Sequence, residues 1–244
     1  KPSQTFEFPP PKPTSAKKPI LEQMPTFDGI VGNFPYIRQE LIERQIKGYK
    51  NKLEQVLIHD WQGEYRELFD KNGKPKLSGQ ADIYAYLFFH TTKFLNEDGG
   101  RIGIVTSSAW LEVDYGYELQ KFFLKNFKLI AVLESLAESW FEDVPIITTV
   151  TVLEKCKNNH ERENNLVKFV KFKKSFREII PQDLKSFSNN RWAAIDRLIA
   201  VIERVGVNYL KLEGEKIVNT LSGPANFENE DIVVRAFKQG ELLE

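Results

Sequence analysis

One stretch constrains the fold of this chain more than any other: Phe27-Asp28-Gly29-Ile30-Val31-Gly32-Asn33-Phe34-Pro35-Tyr36-Ile37-Arg38-Gln39-Glu40. Residues 29–31 form a compact apolar run that stops on Gly32 and opens into a polar and aromatic loop. Apolar runs bounded by turn residues read as buried strands of a parallel sheet, and ligands of open α/β sheets gather beyond the carboxyl ends of such strands. Asn33, Pro35 and Tyr36 therefore fall where chemistry is expected. An Asn carboxamide oxygen accepts a hydrogen bond, and a main-chain carbonyl in a proline-stiffened loop accepts another. The ring of Tyr36 adds a flat stacking face. Such a set suits a planar group with an exocyclic amine, such as a base rotated out of a duplex.

Downstream, the pattern is that of an α/β domain. Residues 37–69 carry Leu41, Ile42, Ile46, Tyr49, Leu53, Val56, Leu57 and Trp61 at spacings of three and four, the period of a long amphipathic helix or a broken pair. Arg38, Lys47, Lys50 and Lys52 follow close on the loop, a cluster that suits either phosphates or a solvated helix face. His59-Asp60, without further partners in the sequence, reads as a surface pair. The breaker-rich residues 71–76 form a turn, and residues 82–95 a helix that Asp82 starts or caps. Gly99-Gly100 stops it, and residues 101–106 (Arg-Ile-Gly-Ile-Val-Thr) make a second buried strand. Helix, Gly-Gly and strand together form a crossover unit of a parallel sheet. A helix over residues 115–127 follows, then strands over 129–133 and 146–153, joined by a connection too short for a helical crossover and so antiparallel. Trp110 reads as core.

Composition sets the outer limits. The 244 residues are enough for one α/β domain with an appendage. Lys+Arg and Asp+Glu both number 34, so any basic footprint is local. The lone Cys156 rules out an internal disulfide framework and fits a reducing, cytoplasmic setting. No run of about 18 apolar residues argues for a membrane span, and the polar, proline-rich start lacks the apolar core of a secretory leader. With Lys1 first and Met24 its single methionine, the chain reads as part of something larger.

The sequence divides into three. Residues 1–26 hold most of the prolines and read as a linker or insertion. Residues 27–185 hold the strand-and-helix alternation. Residues 186–244 read as a helical connector, helical over 192–205, followed by strand-and-turn material with Ser222-Gly223-Pro224-Ala225-Asn226 as a loop. Before the connector, Lys168, Lys171, Lys173, Lys174 and Arg177 interleave with Phe169, Phe172 and Phe176. Basic residues among aromatics line single strands of nucleic acid, but the same alternation also describes a strand with one wet, charged face.

Gly32-Asn33-Phe34-Pro35-Tyr36-Ile37-Arg38-Gln39-Glu40 resembles motif IV, usually Asn-Pro-Pro-Tyr, of the methyltransferases that act on the exocyclic N6 amine of DNA adenine. The form is that of type IIG restriction–modification enzymes and related modification methylases. Phe34 departs from the pattern by replacing the first proline. Asp82-Ile83-Tyr84, residues 99–106, Ser108-Ala109-Trp110-Leu111 and Phe141-Glu142-Asp143-Val144-Pro145 follow in the family's order, so the resemblance spans roughly residues 27–155.

The resemblance implies the later strands of a partial Rossmann-like methyltransferase sheet that ends in an antiparallel hairpin, with a C-terminal α+β extension. It implies methyl transfer from S-adenosylmethionine to a flipped adenine of double-stranded DNA, without a metal, by Asn33, Phe34, Pro35 and Tyr36. Phe141 takes the place of a second aromatic on the base, and Arg38 is the nearest candidate for a contact to the DNA. The Gly-rich donor site precedes motif IV in the family, so cofactor residues are expected upstream of residue 1, and a target-recognition domain is expected to open in residues 186–244. Nuclease and recognition domains of the same polypeptide are possible partners. A protein-glutamine methyltransferase and a catalytically silent DNA-recognition subunit are the competing readings, the second because of Phe34.

Overall fold

In a computed structural model of the chain, residues 25–35, 37, 41, 44, 46–77, 81–140, 147–180, 189–214 and 216–243 are described. In chain order they form strand β1 (Gly29–Asn33), helices α1 (Tyr49–Trp61) and α2 (Ile83–Thr91), strand β2 (Arg101–Ser107), helix α3 (Asp114–Asn126), and strands β3 (Phe127–Ser135) and β4 (Thr148–Lys155). Then come helix α4 (Asn159–Glu163), strand β5 (Leu166–Phe172), and helices α5 (Phe176–Ile179) and α6 (Asn189–Arg204). Strands β6 (Leu210–Glu213), β7 (Lys216–Asn219), β8 (Ala225–Glu228) and β9 (Ile232–Lys238) complete the order.

Seven strands make one sheet in the order β1-β2-β4-β3-β5-β9-β8, and β6 with β7 forms a separate ribbon. β1, β2, β3, β5 and β8 run one way, β4 and β9 the other. The expected antiparallel pairing of β3 with β4 is present. Its consequence is that β4 slots between β2 and β3 and bonds to both. This is the α/β sheet closing in an antiparallel hairpin that the sequence implies.

The parallel pairing of β1 with β2 depends on the Gly-Gly break. The Phe27 N–H donates to the Phe94 carbonyl at 2.7 Å, and Asn96 and Arg101 return N–H bonds to the carbonyls of Phe27 and Asp28 at 2.8 and 2.9 Å. A Cβ on Gly100 would meet the Phe27 carbonyl oxygen at 2.8 Å and the Asn96 backbone at 2.7 Å. Only glycine fits where the entry to β1 is clamped to the start of β2.

Alternation along the strands sorts side chains onto two faces. On one, Ile102, Ile104, Leu129, Val132 and Leu153 pack with Leu57 and Trp61 of α1, Phe88 and Phe89 of α2, and Phe122 and Phe123 of α3. Each such side chain contributes about 1.5–3 kcal/mol when fully buried. On the other, Leu133, Val170, Phe172, Ile232 and Val234 pack with Leu198, Val201 and Ile202 of α6 and with Trp140 and Phe176. That second core covers only the β3-β5-β9 part of its face. Val105, Val150 and Val152 share the face and are half-buried, while Val31 is 88 % exposed.

Several boundaries differ from expectation. The strand expected at residues 29–31 reaches Asn33 and lies at the sheet edge with one face open, where the sequence pattern implies a buried strand. Within the amphipathic stretch 37–69, Leu41 and Arg44 are helical, Gly48 in the left-handed region starts the helix Tyr49–Trp61, and a 3-10 turn, Arg66–Leu68, follows, so the described residues fit a broken pair. The helix after Asp82 gives way to a 3-10 turn at Thr92. β3 begins at Phe127, assigned to the preceding helix by periodicity, and runs to Ser135. From the C-terminal stretch, β9 returns to pair with β5 along its full length. Among the described residues, no helix is long and apolar enough to cross a membrane.

Candidate active site

Asn33 is the last residue of β1, opposite Val105 of β2. Strand alternation puts its side chain on the open face with Val31 and Val105, exposed to solvent. Among the described residues nothing hydrogen-bonds its carboxamide, so both the acceptor oxygen and the donor NH₂ are available.

Phe34 turns the other way. Its N–H donates to the Val105 carbonyl at 3.1 Å, and its ring meets Phe88 edge-on, with centroids 5.2 Å apart. Pro35 is exposed. Tyr36, Arg38 and Phe141 lie outside the described residues.

Around this tip stand the other strand ends. The Ser107 hydroxyl at the end of β2 accepts the Ala109 N–H at 3.2 Å and starts a 3-10 turn, Ser108–Leu111, whose Trp110 is buried against Phe123. Trp110 is therefore core, as its sequence context implies. Asp82 does not cap α2 with its side chain. It accepts the Tyr115 hydroxyl at 2.8 Å, and Tyr115 lies 2.6 Å from the Tyr84 hydroxyl. Burial, with Tyr84 and Asp82 adding to it at Tyr115, pushes both phenols well above their ordinary range, so they stay protonated. No sequence signal marks this tyrosine pair, since the partners come from different helices.

A cavity of about 580 Å³ opens at the ends of β2, β3 and β5, with Ser108, Glu134, Ser135, Ile147, Thr148 and Lys171 in its walls. A cavity of about 630 Å³ lies at the opposite, amino end of β3, beside Lys128, Lys168 and Ile217. Position relative to the strand tips, rather than size, favours the first as neighbour of the site.

Two other sequence features resolve. Lys168 is 7 % exposed, not on a wet face, and its ammonium donates to the Val205 carbonyl beyond the end of α6. Burial pushes it down to about 8. Lys173 pairs with Glu228 and Lys174 with Asp231, both at the β8–β9 hairpin, while Phe169 packs on Phe237 and Phe172 is core. These contacts tie Lys168, Lys173, Lys174, Phe169 and Phe172 into the sheet and its hairpin, while Lys171 and Arg177 stay exposed. Asp60 is not in a bare surface pair: it bonds His59 at 3.1 Å and His90 of α2 at 2.7 Å, linking α1 to α2 away from the strand tips. Of the basic cluster, Lys47 and Lys52 are exposed.

Comparison with known proteins gives the family. The profile of the Eco57I restriction-modification methylases matches residues 4–141, more than half of the chain and all of the β1 tip. This chain belongs to the Eco57I restriction-modification methylase family. It is 31% identical over 117 residues to the type II methyltransferase M.BstVI of Geobacillus stearothermophilus, covering 48% of this chain and 17% of that protein. It is 27% identical over 133 residues to M.XhoI of Xanthomonas vasicola, covering 54% and 20%. The chain thus spans about a fifth of the length of these curated methylase relatives. Among solved structures it is similar to the type IIG restriction endonuclease BpuSI (18% identity, TM-score 0.49, 91% of this chain and 20% of that one). It is also similar to a type I methyltransferase subunit from Streptococcus thermophilus (19% identity, TM-score 0.44, 78% and 33%).

Proposed function

We propose that this methylase chain supplies the acceptor half of an S-adenosylmethionine-dependent DNA adenine-N6 methyltransferase of a restriction–modification system. One observation carries the reading: an exposed, unbonded Asn carboxamide stands at the tip of β1, on the open face of the sheet, inside an Asn-Phe-Pro-Tyr sequence.

Methylating an aromatic amine needs the nitrogen lone pair drawn out of conjugation with the ring. The Asn33 carboxamide oxygen and the Phe34 carbonyl accept the two amine hydrogens, which favours a tetrahedral nitrogen. Both acceptors act by position and fixed polarity and form no covalent bond. Tyr36 stacks on the extruded base and offsets part of the few kcal/mol lost on unstacking. Phe141 closes on its other side, and Arg38 meets the DNA near it. S-adenosylmethionine, when bound, supplies the electrophilic methyl. The residues that hold it are expected ahead of residue 1; the free edge of β1 fits further strands of the same sheet, and the bare Val31 fits a layer over its open face. Residues 186–244, whose α6, β8 and β9 join the same sheet and its second core, then lead on to the target-recognition region, and nuclease and recognition domains of the longer polypeptide are its partners on double-stranded DNA.

Incubating the full-length protein with unmethylated duplex DNA and methyl-labelled donor tests the reading. Label in DNA adenine supports it. Label in a protein glutamine would point to the related amide methyltransferases, and absence of label to a silent recognition subunit.

A further inference from the structure

The two loops at the tips of β1 and β2 are joined by a row of rings. Phe34, next to Asn33, meets Phe88 of α2 at 5.2 Å and 75°. Phe88 meets Phe123 of α3 at 4.9 Å and 70°. Phe123 meets Trp110, in the turn after β2, at 5.5 Å and 81°. Each step is edge-to-face within the range where aromatic quadrupoles attract. Phe88, Phe123 and Trp110 are all but inaccessible, so the row is fixed at three of its four members. At its free end the Phe34 N–H is bonded to Val105, one residue before the buried Thr106.

We propose that Phe34 is a positioning residue that holds Asn33 in register with the Ser108–Leu111 turn through the Phe34–Phe88–Phe123–Trp110 row. Proline would fix φ at this position but would donate no N–H to Val105 and reach no ring. This chain replaces a locked dihedral with a hydrogen bond and an aromatic anchor, and so ties the acceptor group to the two helices beneath it. The inference rests on the methyltransferase reading proposed for Asn33, and concerns how that residue is aimed rather than what it does.

The test compares Phe34→Met, Phe34→Ala, Phe34→Pro, Trp110→Leu and the Phe34→Ala/Trp110→Leu double variant with Asn33→Ala, all in the full-length protein. Labelled methyl transfer into unmethylated genomic DNA is measured alongside the folded fraction from thermal melts. The proposal expects kcat to fall in the order Met, Ala, Pro, by on the order of ten- to a hundredfold for proline, because small misplacements of a reacting pair cost rate steeply. The KM for the donor stays within about twofold, as befits a loss confined to the transition state. The double variant loses little more than its worse single member, because both break one row. Wild-type kcat in Phe34→Pro alongside an inactive Asn33→Ala overturns the positioning role alone. So does a rate loss that merely follows the folded fraction, or losses that multiply in the double variant. Full activity in Asn33→Ala removes the reading beneath and the proposal with it.

Discussion

Asn33 and Gln239 are both polar residues at the edge of the sheet's core, and they behave oppositely. Gln239 is fully buried and satisfied: its carbonyl accepts from the Leu129 N–H and Asn165, and its amide donates to the carbonyls of Leu124 and Phe127. Removing it strips a partner from the Leu129 N–H and from the carbonyls of Leu124 and Phe127, three bonds at about 1–3 kcal/mol each when buried, while Asn165 keeps its bond to the Leu129 carbonyl. Gln239→Ala is therefore expected to lower unfolding free energy by roughly 3 kcal/mol or more, read from urea denaturation. Asn33, exposed and unbonded, should cost less than about 0.5 kcal/mol when changed to Ala, because surface positions of this kind are close to neutral. Lys168 gives a pH signature. Its amine titrates near 8 in the folded chain because burial disfavours the charge, and near its ordinary, higher value when unfolded. Between those values the unfolded chain binds more protons, so stability rises with pH across that window. Denaturation midpoints should rise from about pH 8 toward about 10, and Lys168→Met should flatten the rise.

At the level of elements, β9 shows how the C-terminal stretch relates to the rest. It pairs with all of β5 from Leu166 to Phe172 and supplies Ile232, Val234 and Ala236 to the second core. A chain ending at residue 229 would expose the bonding edge of β5 and strip Ile232 and Val234 from beside Val170 and Phe172, and such edges associate. Size-exclusion chromatography is expected to show aggregates for that truncation; a monomer would contradict the dependence. Strand β5 itself is legible from its alternation, as are β2 and the crossover from Gly99-Gly100, because burial there follows local period. The pairing of β5 with β9 is not, since the residues that decide it are far apart in the chain and neither strand names its partner. The same holds for the site. Asn33 and its loop are legible as a motif at a strand end. The second histidine on Asp60, the Tyr84–Tyr115–Asp82 chain and the contact of Phe34 with Phe88 are not, because they involve helices whose faces sequence period places only roughly. The lysine row shows the reverse error: Lys168 looks wet by its charge, but it shares a face with Val170 and Phe172, which α6 covers.

For the molecule as a whole, the sheet has a covered half and an open one. Helix α6 closes the face over β3, β5 and β9, while the same face over β1, β2 and β4 leaves Val31 bare beside Asn33. If the donor-binding half packs on that open area, the 244-residue chain alone should show no micromolar heat of S-adenosylmethionine binding by titration calorimetry, and the full-length protein should show it. The proposed function turns on a narrower point: that the Asn33 carboxamide oxygen at the tip of β1 accepts an amine hydrogen of a DNA adenine. Mass spectrometry of nucleosides from unmethylated DNA, treated with wild-type or Asn33→Ala full-length protein, reads this without an intermediate step. We expect N6-methyladenine from the wild type and at least roughly a hundredfold less from Asn33→Ala, on the order lost with a single oxyanion-hole donor. Equal N6-methyladenine from both, or methylation confined to cytosine, would contradict it.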